Sequence, residues 1–239
     1  MGMNVAVIPA RGGSKRIPLK NIKLFSGLPM IAWSIRAACE TGLFERIIVS
    51  TDSEEIAKIA QEYGAQCPFI RPKELADDFT GTNAVVKHAI EWLMANDRRP
   101  PDYVCCIYAT ASLIQPHYIK KGYEMLMESH KSFAFSITSF PSRIQRALRL
   151  KPDMSVEMFY PEHAMTRSQD LEDAFYDAGQ FYWGRADAFL KELPLFSAHS
   201  VGVRLPRYLV QDIDTMEDWD VAEYMFEAIK RKKEKEDAG

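Results

Sequence analysis

With 239 residues, 47% of them hydrophobic and 26% charged, the chain is long enough for one large α/β domain or a domain with a small appendage. Its net charge of -3 gives no global basic field to draw in a nucleic-acid backbone, and no apolar run reaches membrane-spanning length, so neither nucleic acid nor membrane is expected as a partner. The four cysteines (Cys39, Cys67, Cys105 and Cys106) lack C-x-x-C spacing, which argues against zinc or a disulfide framework and for reduced core thiols in a cytoplasmic protein.

Residues 5–8, Val-Ala-Val-Ile, read as a buried strand that begins too early to leave room for a secretion signal. The strand runs into Gly12 and Gly13, flanked by Arg11, Lys15, Arg16 and Lys20, with Pro9 and Pro18 stiffening both shoulders. The glycines are expected to turn through positive φ and bring main-chain N–H groups to a ligand. The cations offer charge-assisted bonds of about 1.5–3 kcal/mol each. A polyanion such as a triphosphate suits that loop; the bland alternative is a solvated basic turn. Neither G-x-x-x-x-G-K-[ST] nor G-x-G-x-x-G is present, so the familiar P-loop and dinucleotide fingerprints are excluded.

Downstream, helix-like and strand-like runs alternate, which argues βαβ units and a parallel sheet. Helical spacing covers 30–39, ending near Gly42, and 53–63, closed by Gly64. Strands are expected at 46–50, 66–70 and 103–108, and helices at 84–94 and at 116–128, with Pro116 in a first turn. The second half reads as a strand at 133–138, a hairpin or arm around 154–161, a strand at 179–183 and a helix at 187–192. A late strand at 208–210 and an amphipathic helix at 216–231 complete it, followed by a charged tail read as a frayed helix end.

Asp212-Ile213-Asp214 places two carboxylates on one side of an extended segment, a pair suited to a hard divalent cation that also binds phosphates. Asp214 equally suits an N-cap, with Glu217 three residues on as a capping box. Arg71 follows the expected 66–70 strand, where a parallel sheet presents its carboxyl edge; a surface salt bridge is its other reading. Asp52 or Ser53 should cap the following helix. Phe79, Trp92, Phe181, Tyr182 and Trp183 read as core, and the five histidines have no zinc spacing.

Ala10-Arg11-Gly12-Gly13-Ser14-Lys15 with Lys20-Asn21, then Ile48-Val49-Ser50-Thr51-Asp52, Arg71-Pro72-x-x-Leu75 and Asp212-Ile213-Asp214 closely resemble the CMP-sialic acid synthetases, in order from about residue 4 to residue 230. Ile107 to Ala111, Arg167 to Leu171 and Asp177 to Trp183 resemble the branch that activates pseudaminic acid, although Ser112 stands where that branch often has proline. The resemblance implies a Rossmann-like, GT-A-like nucleotidyltransferase fold over 3–230, a mostly parallel sheet flanked by helices. A dimerisation arm at 140–170 and a charged tail at 231–239 go with it. It implies transfer of CMP from CTP to a nine-carbon sugar acid with release of pyrophosphate, Mg²⁺ as cofactor, and a homodimer. Arg11 and Lys20 would hold the triphosphate beside Gly12 and Gly13, while Ala10, Asn21, Arg71 and Thr82 frame cytosine and ribose. Asp212 and Asp214 would hold metal, with Arg11, Lys20 and Asp214 catalytic. Tyr108, Thr110, Arg167 and Tyr182 would face the sugar, Arg167 pairing its carboxylate, and Arg146 would reach a partner subunit. The alternatives are activation of N-acetylneuraminic or legionaminic acid, or a regulatory protein that binds CTP without turnover.

Overall fold

The computed structural model describes residues 2–77 and 79–237. In chain order come β1 (Asn4–Pro9), β2 (Leu24–Phe25), β3 (Leu28–Pro29), α1 (Met30–Thr41), β4 (Arg46–Ser50), α2 (Glu54–Glu62), α3 (Thr82–Asn96), β5 (Tyr103–Ile107) and α4 (Pro116–Ser129). Then follow β6 (Phe133–Ser139), β7 (Leu148–Leu150), β8 (Val156–Met158), β9 (Phe175–Arg185), α5 (Ala186–Leu190), β10 (Ser200–Arg204) and α6 (Met216–Asp237). Six strands form one sheet in the order β10-β6-β9-β5-β1-β4. All its pairings are parallel except those of β9, which runs antiparallel between β5 and β6.

Alternation along β1 explains the layers. Ala6 and Ile8 face a cluster with Ile31 and Ile35 of α1 and Ile119 of α4, while Val5 and Val7 face the opposite cluster with Val86 and Ile90 of α3 and Phe189 of α5. Both faces of the strand are therefore buried, as its near-continuous β-branched run requires. Trp183 of β9 anchors the first layer: it is fully buried, its indole N–H donates to the Ile119 carbonyl (2.8 Å), and Phe44 stacks on it. Among the described residues no helix is long and apolar enough to cross a membrane.

A third, smaller cluster positions the site. Ile17 from the glycine-containing loop, Phe25, Met30, Ile213 and Trp219 of α6 pack together. That contact pins the loop after β1 against the segment before α6, although the two lie at opposite ends of the sequence.

Several expectations are corrected. Residues 66–70 are not a strand: Pro68 has no N–H for a ladder, and only Gln66 bridges Ile48, although the segment runs beside β4 and the Arg71 N–H reaches the Thr51 carbonyl (2.7 Å). Instead of a strand at 208–210, Pro206 opens a 3-10 turn at Arg207–Leu209. Strand β10 falls where no element was expected. Phe79 is 95% exposed and Cys39 is exposed, so neither belongs to the core. The charged tail continues α6 as far as Asp237, and Lys233 Nζ donates to Gln115 Oε1 (2.6 Å).

Candidate active site

The loop that leaves β1 is fixed by hydrogen bonds from its surroundings. Ala10 N–H continues the pairing to Ser50, Gly12 N–H donates to Asp52 Oδ1 (2.8 Å), and Asn21 Nδ2 donates to the Arg11 carbonyl (2.9 Å). Asp52 therefore holds the loop, while Ser53 alone caps α2 through the Ile56 N–H. Contrary to expectation, neither Gly12 nor Gly13 has positive φ; Leu19 takes that conformation at φ 53. What Gly12 supplies is closeness: a Cβ there would lie 3.2 Å from that of Ser53, tighter than side chains ordinarily approach.

Arg11, Lys15, Arg16 and Lys20 line one cleft of about 600 Å³, together with Asn21, Arg71, Thr82, Tyr108, Thr110 and Asp214. The cleft lies at the carboxyl ends of β1 and β5, where open α/β sheets collect ligands. Arg11 donates to the Asp77 carbonyl (2.9 Å), which ties the loop to the segment before α3. Arg71 is buried and lies against the end of β4, where Nε donates to Ser50 Oγ (3.1 Å) and Nη2 to the Ser50 carbonyl. Burial lowers its pKa to about 10, still cationic at neutral pH. It is not the surface ion pair that was its other reading.

Asp212 and Asp214 owe their aim to Ile213. That side chain is buried in the third cluster, so the carboxylates on either side of it turn outward. Asp214 accepts from Arg16 (2.7 Å) and lies 3.8 Å from Lys20 Nζ, which donates to the Ile213 carbonyl (2.5 Å). Burial raises the pKa of Asp212, and the charge of Asp214 adds to the rise. Burial lowers that of Lys20 even though both aspartates oppose it. The cap reading of Asp214 is overturned. Thr215 precedes α6, its Oγ1 accepts from Asp218 N–H (3.2 Å), and Asp218 Oδ2 accepts in return from Thr215 N–H (2.8 Å). The capping box is therefore Thr215 with Asp218, and Asp214 is left to the cleft. Asp212 and Asp214 are the oxygen donors available to a hard cation. Among the described residues no group of three or more His, Cys, Asp or Glu is arranged to hold a metal ion.

Tyr108, at the end of β5, also lines an adjoining cleft of about 470 Å³ with Tyr182, Asp177, Asp212 and Asp214. Its hydroxyl lies 3.1 Å from Thr82 Oγ1, the Tyr182 hydroxyl donates to Asp177 Oδ2 (2.7 Å), and the two phenol rings lie with their centroids 5.2 Å apart. Burial raises the pKa of both phenols. Ala10, Gly12 and Gly13 shape the loop without lining either cleft. Arg167 lines neither cleft: it is largely exposed and pairs with Asp170 (2.7 Å). Arg146 donates to the Thr166 carbonyl (2.6 Å) and lines a cavity of about 1120 Å³ between the 139–146 and 204–208 segments, with Arg143, Arg204 and Arg207. Sequence reasoning named Asp52 only as a possible helix cap and Asp177 only within a motif, and it missed the bonds they make here. Their partners are too remote in sequence, or on too irregular a strand, for local pattern to show them.

A mostly parallel sheet with its cationic loop at the exit of β1 has the fold of the nucleotidyltransferases. The solved structure of CMP:2-keto-3-deoxy-manno-octonic acid synthetase complexed with CTP superposes with a TM-score of 0.67 over 95% of this chain and 99% of that one, at 15% identity. The 4-diphosphocytidyl-2C-methyl-D-erythritol synthase of Anaerococcus prevotii reaches 0.62 over 95% of this chain and 99% of its own, at 14% identity. The chain itself belongs to the cytidylyltransferase family, whose model matches residues 5–234. A pseudaminic acid cytidylyltransferase of Campylobacter jejuni is 46% identical over 93% of this chain and 96% of its own. The CMP-N,N'-diacetyllegionaminic acid synthase of Legionella pneumophila is 32% identical over 93% and 96%.

Proposed function

We propose that this cytidylyltransferase moves CMP from CTP to the anomeric 2-hydroxyl of pseudaminic acid, releasing pyrophosphate. The observation that carries the reading is the gathering of Arg11, Lys20, Arg71 and Asp214 in one cleft at the exit of β1. The choice of sugar is supported by the higher identity to the pseudaminic acid enzyme than to the legionaminic acid one.

Phosphoryl chemistry of this kind is mostly positioning and charge neutralisation. Arg11 and Lys20 stabilise the charge that builds on the departing pyrophosphate. Asn21 fixes the loop that carries them, and Arg71 and Thr82 frame the nucleoside. Asp212 and Asp214 hold Mg²⁺, which when bound neutralises phosphate oxygens and acidifies the attacking hydroxyl. Tyr108, Thr110 and Tyr182 orient the sugar from the adjoining cleft. Arg167, on the arm at 140–170, reaches a sugar carboxylate across a homodimer. The arm supports that assembly: Leu148, Leu150, Val156 and Met165 on or beside the β7–β8 hairpin are exposed, and an isolated two-strand hairpin is marginal by itself.

The test is a panel of CTP with pseudaminic, legionaminic and N-acetylneuraminic acids, with and without magnesium, read by pyrophosphate release. Magnesium-dependent release favouring pseudaminic acid is expected. Preference for another acid moves the assignment to that acid, and release without any divalent cation removes the metal role.

A further inference from the structure

Asp177 is a carboxylate with no part in the chemistry above. It sits where β9 bulges: the pairing with β6 shifts register between Phe135 and Ile137, the residue opposite Asp177, and Gly179 takes φ +61. Bulges re-aim side chains, and this one brings Asp177 to the cleft that it shares with Tyr108 and Tyr182. Two neutral donors fix the carboxylate there. The Gly179 N–H donates to Oδ1 (3.0 Å), and the Tyr182 hydroxyl, on a side chain only 3% exposed, donates to Oδ2 (2.7 Å).

The charges around that cleft single Asp177 out. Four carboxylates line it, Asp177, Asp212, Asp214 and Asp218, and among the described residues no lysine or arginine does. Three of the four have other work. Asp214 pairs with Arg16, Asp212 stands beside it as a donor for a cation, and Asp218 closes the cap of α6 through Thr215. The bonds of Asp177 come from an amide and a phenol, neither of which offsets its charge. An ionised carboxylate has about four acceptor sites and no donor, so about two are left for a ligand. A ligand group placed there must donate a hydrogen; a second carboxylate would be repelled.

We propose that Asp177 is a specificity-determining residue of the sugar cleft: it accepts a hydrogen bond from a neutral hydroxyl or amide N–H of the sugar acid and keeps the sugar's own carboxylate away from this wall. This rests on the sugar acid occupying the cleft beside Tyr108 and Tyr182. Stereoisomers of such an acid carry their donors in different directions. An acceptor left unpaired by a misplaced donor rejects the wrong isomer more strongly than pocket shape does.

The test compares the unaltered chain with Asp177→Asn, Tyr182→Phe and the double variant. For each, kcat/KM for pseudaminic, legionaminic and N-acetylneuraminic acids is read by pyrophosphate release at saturating CTP, and CTP affinity by calorimetry. Asn keeps the size and an oxygen for the Gly179 N–H, while the charge is lost and a donor replaces an acceptor. With the preferred acid kcat/KM should fall roughly ten- to a hundredfold, the range of a hydrogen bond to a charged group. With the least preferred acid it should fall less than about threefold, so the selectivity narrows, and CTP affinity should stay within about twofold. A residue that merely props the bulge would lower all three acids alike. An equal loss, no loss, or a parallel fall in CTP affinity therefore overturns the proposal. In the Tyr182→Phe background the loss with the preferred acid should persist; its disappearance would mean that Asp177 acts only by holding the phenol, and the contact would be refuted. Should Asp177→Asn unfold, Asp177→Glu, with the charge kept and its oxygens carried one bond farther, takes its place under the same criteria. If no acid releases pyrophosphate, the reaction proposed above fails, and titration of the three acids into the CTP-bound protein decides on Asp177. Affinity for one acid that drops with the substitution keeps the contact; affinity that ignores it, or no binding, overturns it.

Discussion

Replacing Asp214 with Asn removes one negative charge from the cleft and leaves shape almost unchanged. Its stability cost follows from exposure. The Arg16–Asp214 pair spans 2.7 Å, but the side chains are 67% and 39% exposed, so solvent screens most of the attraction. Pairs of that kind contribute about 0–1 kcal/mol, and at roughly 2–4 °C per kcal/mol for a chain this long the melting temperature should fall by no more than about 4 °C. Helix α6 should not fray, because its cap belongs to Thr215 and Asp218. Turnover should behave otherwise. Losing a preorganised group aimed at developing charge costs about a hundred- to a thousandfold in kcat, while CTP, held also by Arg11, Lys20 and Arg71, should bind within about tenfold of its normal affinity. The assay is pyrophosphate release with magnesium, beside calorimetric titration of CTP. Thr215→Ala is the contrasting variant: loss of a cap costs about 0.5–2 kcal/mol of stability, with turnover largely kept. Near-normal turnover of Asp214→Asn, with its magnesium dependence intact, would refute the metal assignment.

Two further outcomes test the packing. Gly184→Ala should destabilise the fold by about 1–3 kcal/mol, the range for overpacking a core, because a Cβ there would sit 2.5 Å from Phe189 and 2.6 Å from Phe133; a denaturant midpoint unchanged from the parent would contradict that crowding. A thiol reagent should modify Cys39 quickly in the native protein and leave Cys105 and Cys106 untouched until denaturant is added, since both are fully buried and burial drives their pKa values up. Cys67, half-buried and raised to about 11, should react slowly and faster as pH climbs, because the thiolate is the attacking form; more than one rapid native thiol would refute the burial.

How much of this was legible in the sequence depends on how local its cause is. The first strand, α1, α2 and α4 were legible because periodicity and stop signals lie within each segment: Gly42 at φ 64 and Gly64 at φ 98 end helices where a glycine was expected to. The antiparallel course of β9 was not, since a short buried run reads alike in either direction and only its neighbours decide. The same holds for residues 66–70, whose apolar character suggested a strand while Pro68 denied it the ladder. Asp212-Ile213-Asp214 shows the boundary most clearly. Period two says that the aspartates share a side, and nothing local says which side that is. Trp219 and Phe25 decide it by burying Ile213, so the carboxylates face the cations of a loop almost two hundred positions away. An exposed Ile213 would have turned both inward, and the same three letters would have spelled no site at all.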